Sequence, residues 1–177
     1  MPKTFIIQID GPMGSGKTTV SKLLRQKLPD CARIALPDIK RLVPNFRENE
    51  ITLKIIRDVI LSMADIYLQN KICIIVEQIS APEDLIRLTK LSTKHNASLH
   101  AFRLTAPRDL RLKRVLERSK ESYGVTELAQ SKILELETYF NANEKFYDEN
   151  PLSEAQIIDS EINNPDEIVE KIIGDLE

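Results

Sequence analysis

Residues 11–18 carry the sequence Gly11-Pro12-Met13-Gly14-Ser15-Gly16-Lys17-Thr18. This sequence fits the pattern of a glycine, four residues, a second glycine, a lysine and a serine or threonine, which is typical of phosphate-binding loops. A short apolar run, residues 5–9, precedes it, and apolar residues recur at helical spacing after Lys17. Because the motif requires a strand before the loop and a helix after it, we predict a phosphate-binding loop here.

The residue types in this loop suit the binding of a nucleotide and Mg²⁺. Glycines let successive backbone N–H groups converge on phosphate oxygens, and the helix N-terminus adds unpaired donors. Lys17 would supply positive charge to the β- and γ-phosphates, and the Thr18 hydroxyl would ligate Mg²⁺. We therefore predict that the nucleotide contacts all of residues 11–19, namely Gly11, Pro12, Met13, Gly14, Ser15, Gly16, Lys17, Thr18 and Thr19.

The rest of the chain alternates strand-like and helix-like segments without a linker or a repeat. Further strands are predicted at residues 32–36, 72–76, 98–104 and 155–158, and a long helix at residues 126–148. Short buried strands that alternate with helices favour a parallel sheet covered on both faces. We therefore predict one α/β domain over residues 1–177, a three-layer P-loop NTPase fold with a five-stranded parallel sheet.

Composition excludes several classes of protein. The chain has 177 residues, 42% of them hydrophobic, which excludes a disordered chain. The longest purely apolar run, residues 72–76, is far shorter than the ~20 residues of a membrane span. A formal net charge of −2 argues weakly against duplex nucleic acid as the main partner. With no secretory signal in the sequence and no need for Cys31 and Cys73 to pair, we expect a reduced, cytoplasmic protein.

Two other kinds of P-loop protein are disfavoured by the sequence. A GTPase would need a guanine-reading Asn-Lys-x-Asp tetrad, which does not occur in the chain. A ring-forming ATPase module normally needs a longer chain. A compact phosphotransferase is the class that remains.

From Phe5 to the last helix, the chain resembles the small P-loop kinases, which include gluconate-kinase, chloramphenicol-phosphotransferase and polynucleotide-kinase-like proteins. The loop wording Ile9-Asp10-Gly11-Pro12 also resembles cytidylate kinases, but the chain lacks that family's further motifs and length. The resemblance covers nearly the whole chain in the order of its elements. It implies an ATP- and Mg²⁺-dependent kinase.

The resemblance assigns roles to residues at the ends of two strands. In the resembled kinases an aspartate after the second strand faces the acceptor hydroxyl, often with an arginine three residues on, and Asp38 and Arg41 have this spacing. Such a carboxylate can orient the hydroxyl and accept its proton late. Alternatively, Asp38 caps a short helix. Glu77 ends the third strand, where relatives commonly carry an aspartate that holds a water of Mg²⁺ or the acceptor; the alternative is a solvated acid.

Three arginines form a stripe on the helix after Pro107. Arg111, Arg114 and Arg118 lie within an arc of about 60° at 100° per residue. In the resembled kinases a lid carries two arginines with three residues between them, and Arg114 and Arg118 have this spacing. The resemblance implies a lid at about residues 108–125 with a loop at 119–124. Arg118 would be the ligand of the transferred phosphate and Arg114 a nucleotide contact, although a solvated helix is the alternative.

Other residues give weaker signals. His95 and His100 have no metal-ligating neighbours in the sequence and are expected to be structural. The aromatic residues Phe140, Phe146 and Tyr147 are expected in the core. In the resembled kinases, the segment that corresponds to residues 159–163 lines the adenine through its backbone.

The sequence therefore favours a kinase that transfers the γ-phosphoryl group of ATP to a hydroxyl of a small-molecule acceptor. Two alternatives stay open. A nucleotide or nucleic-acid 5′-end kinase would use the basic group of Lys40, Arg41, Arg47 and Arg57 for an anionic acceptor. An ATP-binding switch or ATPase would have no small-molecule acceptor. The identity of the acceptor is not encoded in any motif of the chain.

Overall fold

The computed structural model describes residues 4–43, 50–152 and 154–176. Within these residues, strands and helices alternate along the chain. In chain order the elements are β1 (Phe5–Asp10), α1 (Lys17–Lys27), β2 (Ala32–Ala35), α2 (Leu36–Lys40), α3 (Glu50–Gln69), β3 (Ile74–Glu77), α4 (Pro82–His95), β4 (Ser98–Thr105), α5 (Arg108–Tyr123), α6 (Gln130–Glu149), β5 (Gln156–Asp159) and α7 (Pro165–Gly174).

The five strands form one parallel sheet in the order β2-β3-β1-β4-β5. The central strand is β1, in which Ile9 lies opposite Glu77 of β3 on one side and Phe102 of β4 on the other. The carboxyl ends of the strands therefore meet at one edge of the sheet, where ligands of open α/β sheets bind. The predicted five-stranded parallel α/β fold is confirmed.

Helices cover both faces of the sheet. Because successive strand residues point to opposite faces, Ile7 and Ile9 pack on one side and Ile6 on the other. The side of Ile7 is covered by α1 and α7, and the side of Ile6 by α2, α3 and α4. This arrangement is the predicted three-layer architecture.

Three predicted boundaries differ from the structure by more than one residue. The third strand begins at Ile74 instead of residue 72, because the N–H of Ile72 closes the end of α3 by donating to Tyr67 O at 3.0 Å. The helix predicted at residues 126–148 begins at Gln130. The predicted lid loop, residues 119–124, is helical as far as Tyr123, and Gly124 ends α5 in the left-handed conformation with φ 64°.

Some residues have the structural roles expected of them. Cys31 and Cys73 are free cysteines, and burial raises the pKa of Cys31 to about 12. The His95 ring lies 2.6 Å from an oxygen of Asp65, and Phe140 is fully buried.

None of the helices in the described part of the chain combines the length and apolarity needed to cross a bilayer.

Candidate functional site

The loop between β1 and α1 has a backbone that only glycine adopts readily. Gly14 has φ 77°, and a Cβ there would lie 2.3 Å from the backbone oxygen of Arg111 on α5. Gly16 has φ 94°, and a Cβ there would meet nothing within 4 Å. The loop is therefore packed tightly against α5 behind Gly14, while the space in front of Gly16 and the start of α1 is open. An open helix N-terminus of this kind is a binding site for phosphate.

The N–H groups of the loop divide into two sets. Gly11 N–H donates to the Tyr147 hydroxyl at 3.2 Å, and Met13 N–H donates to Asn143 Oδ1 at 2.7 Å. Both N–H groups donate to side chains of α6, so they hold the loop in shape and are not available to a phosphate. In contrast, the first-turn N–H groups of α1, at residues 17–19, have no partner within their helix. They are donors that a phosphate could use.

Lys17 lies inside the curve of the loop. Its ammonium donates to the carbonyl oxygens of Gly11 and of Pro12, the latter at 3.0 Å. Burial lowers the pKa of Lys17 to about 8, although Asp10 and Glu77 act in the opposite direction. The charge of Arg118 lowers this pKa further. Lys17 and Arg118 also line the same cavity, where both can contact one anion.

Thr18 and Glu77 form a pair suited to Mg²⁺ that is bound with a nucleotide. The Thr18 hydroxyl donates to Glu77 Oε1 at 2.5 Å, and the Ser21 hydroxyl donates to Oε2 at 2.6 Å. The Glu77 residue is 1% exposed. In the parts of the chain that the structure describes, no group of three or more His, Cys, Asp or Glu residues could hold a metal alone. Mg²⁺ is often held by few protein groups together with substrate phosphates, and this pair fits that arrangement.

Arg33 connects the two acidic residues of the site, a role that sequence reasoning missed. Its guanidinium donates to Asp38 Oδ2 at 3.0 Å, to Glu77 Oε2 and to the Ser21 hydroxyl at 2.8 Å. The signal in the sequence was a single arginine inside the apolar strand β2. Its partners could not be read from the sequence because they lie on three other elements.

Asp38 and Arg41 lie at α2 and pair with each other, and the alternative that Asp38 caps the helix is wrong. Asp38 is inside α2 instead of capping it, and its carboxylate accepts hydrogen bonds from Arg33 and, at 2.9 Å, from Arg41. Neither Asp38 nor Arg41 belongs to the wall of the adjoining cavity, to which α2 contributes Pro37. The ion pairs draw the Asp38 carboxylate towards the two guanidinium groups, but about half of its surface stays exposed.

The three arginines of α5 have three different environments. Arg111 is buried and forms a bidentate ion pair with Glu144 of α6, with both distances 2.6 Å, so it is a structural residue. Arg114 donates to Ser160 Oγ at 3.0 Å and to Gly14 O at 3.3 Å, which ties α5 to the loop. Arg118 makes no hydrogen bond or ion pair with any residue that the structure describes.

Two cavities meet at the loop. The first cavity, of about 770 Å³, lies towards the segment after β5 and is lined there by residues that include Ser160 and Asn163. The second cavity, of about 670 Å³, lies towards α2, α3 and α6 and includes Lys17 in its wall. Both cavities are lined by Gly14, Gly16, Thr19 and Arg118. The loop and Arg118 therefore form the border between two spaces that separate ligands can fill.

Comparison with protein families agrees with this geometry. A family model with the description "AAA domain" matches residues 7–135, which is more than half of the chain. The chain belongs to this family. We expected a ring-forming ATPase module to need a longer chain. The match to an AAA family model shows that chain length alone does not exclude that class. Among curated proteins, none has a significant sequence match to the chain.

Solved structures of kinases have the same fold as this AAA-family chain. The APS kinase of Mycobacterium tuberculosis, in complex with AMPPNP and APS, is 14% identical with a TM-score of 0.70, over 99% of this chain and 98% of the other. The tunicamycin resistance protein of Deinococcus radiodurans is 19% identical with a TM-score of 0.61, over 98% and 96% of the two chains. A gluconokinase of Sinorhizobium meliloti 1021 is 16% identical with a TM-score of 0.60, over 99% and 91%. The predicted resemblance to small P-loop kinases is confirmed for the fold.

Two residues of the basic group proposed for an anionic acceptor form ion pairs within the protein. Arg41 pairs with Asp38 at 2.9 Å and Arg57 pairs with Asp84 at 3.2 Å, while Lys40 also interacts with other residues. Arg47 lies outside the described residues. Two of the four basic residues are therefore paired with carboxylates of the protein.

Tyr147 is a second functional residue that sequence reasoning missed, because it was expected only in the core. Its hydroxyl accepts from Gly11 N–H and lies 2.7 Å from Asp10 Oδ1 and 2.6 Å from Gly11 O, to either of which it can donate. Burial, and then the charge of Asp10, raise the pKa of Tyr147 above its ordinary value, so the hydroxyl stays protonated. Phe146, also expected in the core, instead lines the second cavity.

Tyr147→Phe tests this contact. Removing the hydroxyl leaves buried groups of the loop without a partner, so we expect a loss of about 1–3 kcal/mol in the free energy of unfolding and about tenfold weaker Mg–ATP binding. Calorimetric titration and thermal unfolding measure the two effects. Tyr67→Phe, on α3, is the control and should change neither. Unchanged ATP affinity in Tyr147→Phe would show that the hydroxyl supports the fold alone.

The pKa of Lys17 predicts a proton uptake on ATP binding. Because this pKa is about 8 in the free protein, the ammonium is largely formed at pH 7 and largely lost at pH 9. Phosphates favour the charged form, so ATP binding at pH 9 should take up nearly one proton, and the affinity should fall up to tenfold per pH unit above 8. Titration calorimetry in buffers of different ionisation enthalpy measures the uptake.

Lys17→Met is the control for this pH dependence and should abolish the proton uptake. The unfolded chain holds the lysine proton up to its ordinary pKa of 10.5, above the value of about 8 in the folded protein. The unfolded state therefore binds more protons between these pH values, so Lys17 makes the free energy of unfolding rise with pH in that window. Lys17→Met should remove this rise. Equal proton uptake at pH 9 in both proteins would contradict the assignment.

Proposed function

We propose that this protein is an ATP- and Mg²⁺-dependent phosphotransferase that transfers the γ-phosphoryl group of ATP to a hydroxyl of a small-molecule acceptor. The observation that carries the proposal is the position of Arg118. This arginine lines both cavities beside the phosphate loop and has no hydrogen-bond or ion-pair partner in the described residues. A cation without a protein partner, at the border between two ligand spaces, is suited to a phosphoryl group that passes from one space to the other.

The nucleotide would occupy the first cavity and the loop. First-turn N–H groups of α1 and the Lys17 ammonium would bind the phosphates, and Arg114 would contact the nucleotide through its position beside Ser160. Residues 159–163 remain our prediction for the surface that lines the adenine. The APS kinase of the same fold is in complex with both AMPPNP and APS. This supports the proposal that one domain of this fold binds a nucleotide and a small acceptor together.

Thr18 and Glu77 would hold Mg²⁺ with the nucleotide phosphates. The metal would neutralise charge on the phosphates during transfer. Thr18 offers its hydroxyl oxygen, while the Glu77 carboxylate accepts the hydroxyl hydrogen and so fixes the direction of that oxygen. Arg33 places a positive charge against the buried Glu77 carboxylate through their ion pair.

Asp38 is our candidate for orienting the acceptor hydroxyl, with Arg41 as its substrate-side neighbour. Asp38 follows Pro37, a wall residue of the second cavity, and half of its surface is exposed. Its hydrogen bond from Arg33 joins it to Glu77 and so to the metal side of the site. Phosphoryl transfer depends on positioning more than on a strong base, so a carboxylate held by arginines can fulfil this role.

Transfer of label from γ-labelled ATP tests the function. The protein is incubated with Mg²⁺ and pools of nucleosides, nucleotides, sugars and sugar acids, antibiotics that carry hydroxyls, and 5′-hydroxyl oligonucleotides. We expect a labelled product in a small-molecule pool and none with Lys17→Ala. Label in the oligonucleotide pool alone would favour a nucleic-acid end kinase. Acceptor-independent hydrolysis in every pool that survives Asp38→Asn would favour a switch or ATPase.

Arg118→Ala should lower kcat by about 10³-fold or more with a small change in KM for ATP, because the contact strengthens as charge develops on the transferred group. Arg108→Ala is the matched control on the same helix, since Arg108 is exposed and donates to Asn141. It should stay within about twofold of wild type, as surface substitutions usually do. A rise in KM alone for Arg118→Ala would mean that this arginine binds only ground-state ATP.

A further inference from the structure

The outer part of the second cavity has mostly apolar walls. Away from the phosphate loop, the lining side chains come from α2, α3, α6 and the segment after β3, and they include Leu36, Leu53, Ile79, Leu136, Tyr139 and Phe146. Binding sites for small organic molecules have volumes of about 300–1,000 Å³ and mainly apolar walls with few polar groups. At about 670 Å³, this cavity has the size and the walls of such a site.

One buried polar side chain in the cavity wall has no hydrogen-bond partner among the residues that the structure describes. Gln78 follows Glu77 at the end of β3 and is 5% exposed. Its backbone N–H donates to Ile9 O at 3.2 Å, whereas its side-chain amide makes no hydrogen bond with any residue in the described ranges. Buried polar groups are normally hydrogen-bonded, so this amide is placed to bond a ligand.

The outer cationic residue Arg57 of the wall does not require an anionic ligand. Arg57 forms an ion pair with Asp84, which is buried, at 3.2 Å. Burial is the main cause that raises the pKa of Asp84, and the Arg57 charge opposes it. Lys40 interacts with other residues of the protein as well. The Arg57 charge is therefore matched within the protein, and a neutral body can lie beside it without leaving that charge unpaired.

We propose that the acceptor is an uncharged hydroxyl compound with an apolar or aromatic body, whose second polar group hydrogen-bonds the amide of Gln78. This inference rests on the proposed phosphotransfer and names its substrate class. The acceptor oxygen forms a bond to the γ-phosphorus, the bond from that phosphorus to the β–γ bridging oxygen breaks, and ADP leaves with the electron pair. The hydroxyl proton passes to a carboxylate or to water.

Matched acceptor panels test the substrate class. Purified protein with Mg²⁺ and γ-labelled ATP is given three panels at equal hydroxyl concentration. The first holds aryl and alkyl alcohols with one further polar group, the second holds sugars, sugar acids and polyols, and the third holds nucleotides and 5′-hydroxyl oligonucleotides. We expect the first panel to give product with kcat/KM at least tenfold above that of the others.

Two substitutions connect that preference to the cavity. Leu136→Gln changes a wall residue and should lower kcat/KM for the first panel at least tenfold, since apolar contacts of this size discriminate by 10- to 200-fold. Leu134→Gln, on the same helix but exposed, should stay within about twofold. Gln78→Leu should raise KM for acceptors that carry the second polar group and leave KM unchanged for analogues without it.

The outcomes separate this inference from the function on which it rests. No product from the first panel overturns the substrate class, whatever the other panels give. Product from the second or third panel alone overturns it too, while it upholds the phosphotransferase. Absence of Mg–ATP binding and of product in all panels overturns both. Equal effects of Leu136→Gln and Leu134→Gln would show that the acceptor does not lie against this wall.

Discussion

A buried carboxylate at the end of the central strand fixes where the phosphate loop begins. Asp10 is 1% exposed, and its Oδ2 accepts from Arg103 Nε at 2.7 Å. Its Oδ1 accepts from Ser80 N–H at 2.9 Å and is 2.7 Å from the Tyr147 hydroxyl. Through these partners the carboxylate joins the end of β1 to β4, to α6 and to the segment between β3 and α4. Loss of one partner from a buried ion pair costs about 3–5 kcal/mol, so these contacts hold the four elements firmly together. The loop leaves the sheet from that fixed point.

Helix α6 contacts both the phosphate loop and the second cavity. Asn143 and Tyr147 of this helix bond the loop backbone, and Leu136 and Phe146 of the same helix line the cavity. A ligand that contacts the wall therefore touches the element that shapes the loop. On the other side of the loop, Arg33 joins Glu77 to Asp38, so both sides of the site are held by contacts between distant elements.

The sequence predicted the parts of the protein that depend on local pattern. The loop motif is contiguous, and strand–helix alternation follows from apolar spacing, so both the loop and the parallel sheet were confirmed. The expected roles of Lys17, Thr18 and Arg118 stay predictions that the geometry supports. Tyr147 was missed because its contact with Gly11 spans 136 residues. The spacing of apolar residues along the chain gives no information about a contact between residues so far apart in the sequence.

The errors in the sequence analysis have the same origin. Arg111 was grouped with two other arginines by helical spacing, but its ion pair with Glu144 removes it from the anion site. The role of Asp38 towards the acceptor stays a prediction, but its ion pair with Arg33 was not foreseen. In each case a charge found a partner on another element, 33 residues away for Arg111 and five residues away for Asp38. Spacing along one helix or strand cannot reveal such partners.

Equilibrium binding of Mg–ATP tests the central claim that this loop is a nucleotide cradle organised around Lys17. Titration calorimetry compares the wild type with Lys17→Ala and with Lys27→Ala, whose lysine on the same helix is exposed and pairs with Glu170. The account predicts saturable Mg–ATP binding by the wild type and by Lys27→Ala. It predicts binding about 10- to 100-fold weaker in Lys17→Ala, with the thermal unfolding transition retained. Wild-type affinity in Lys17→Ala would contradict it.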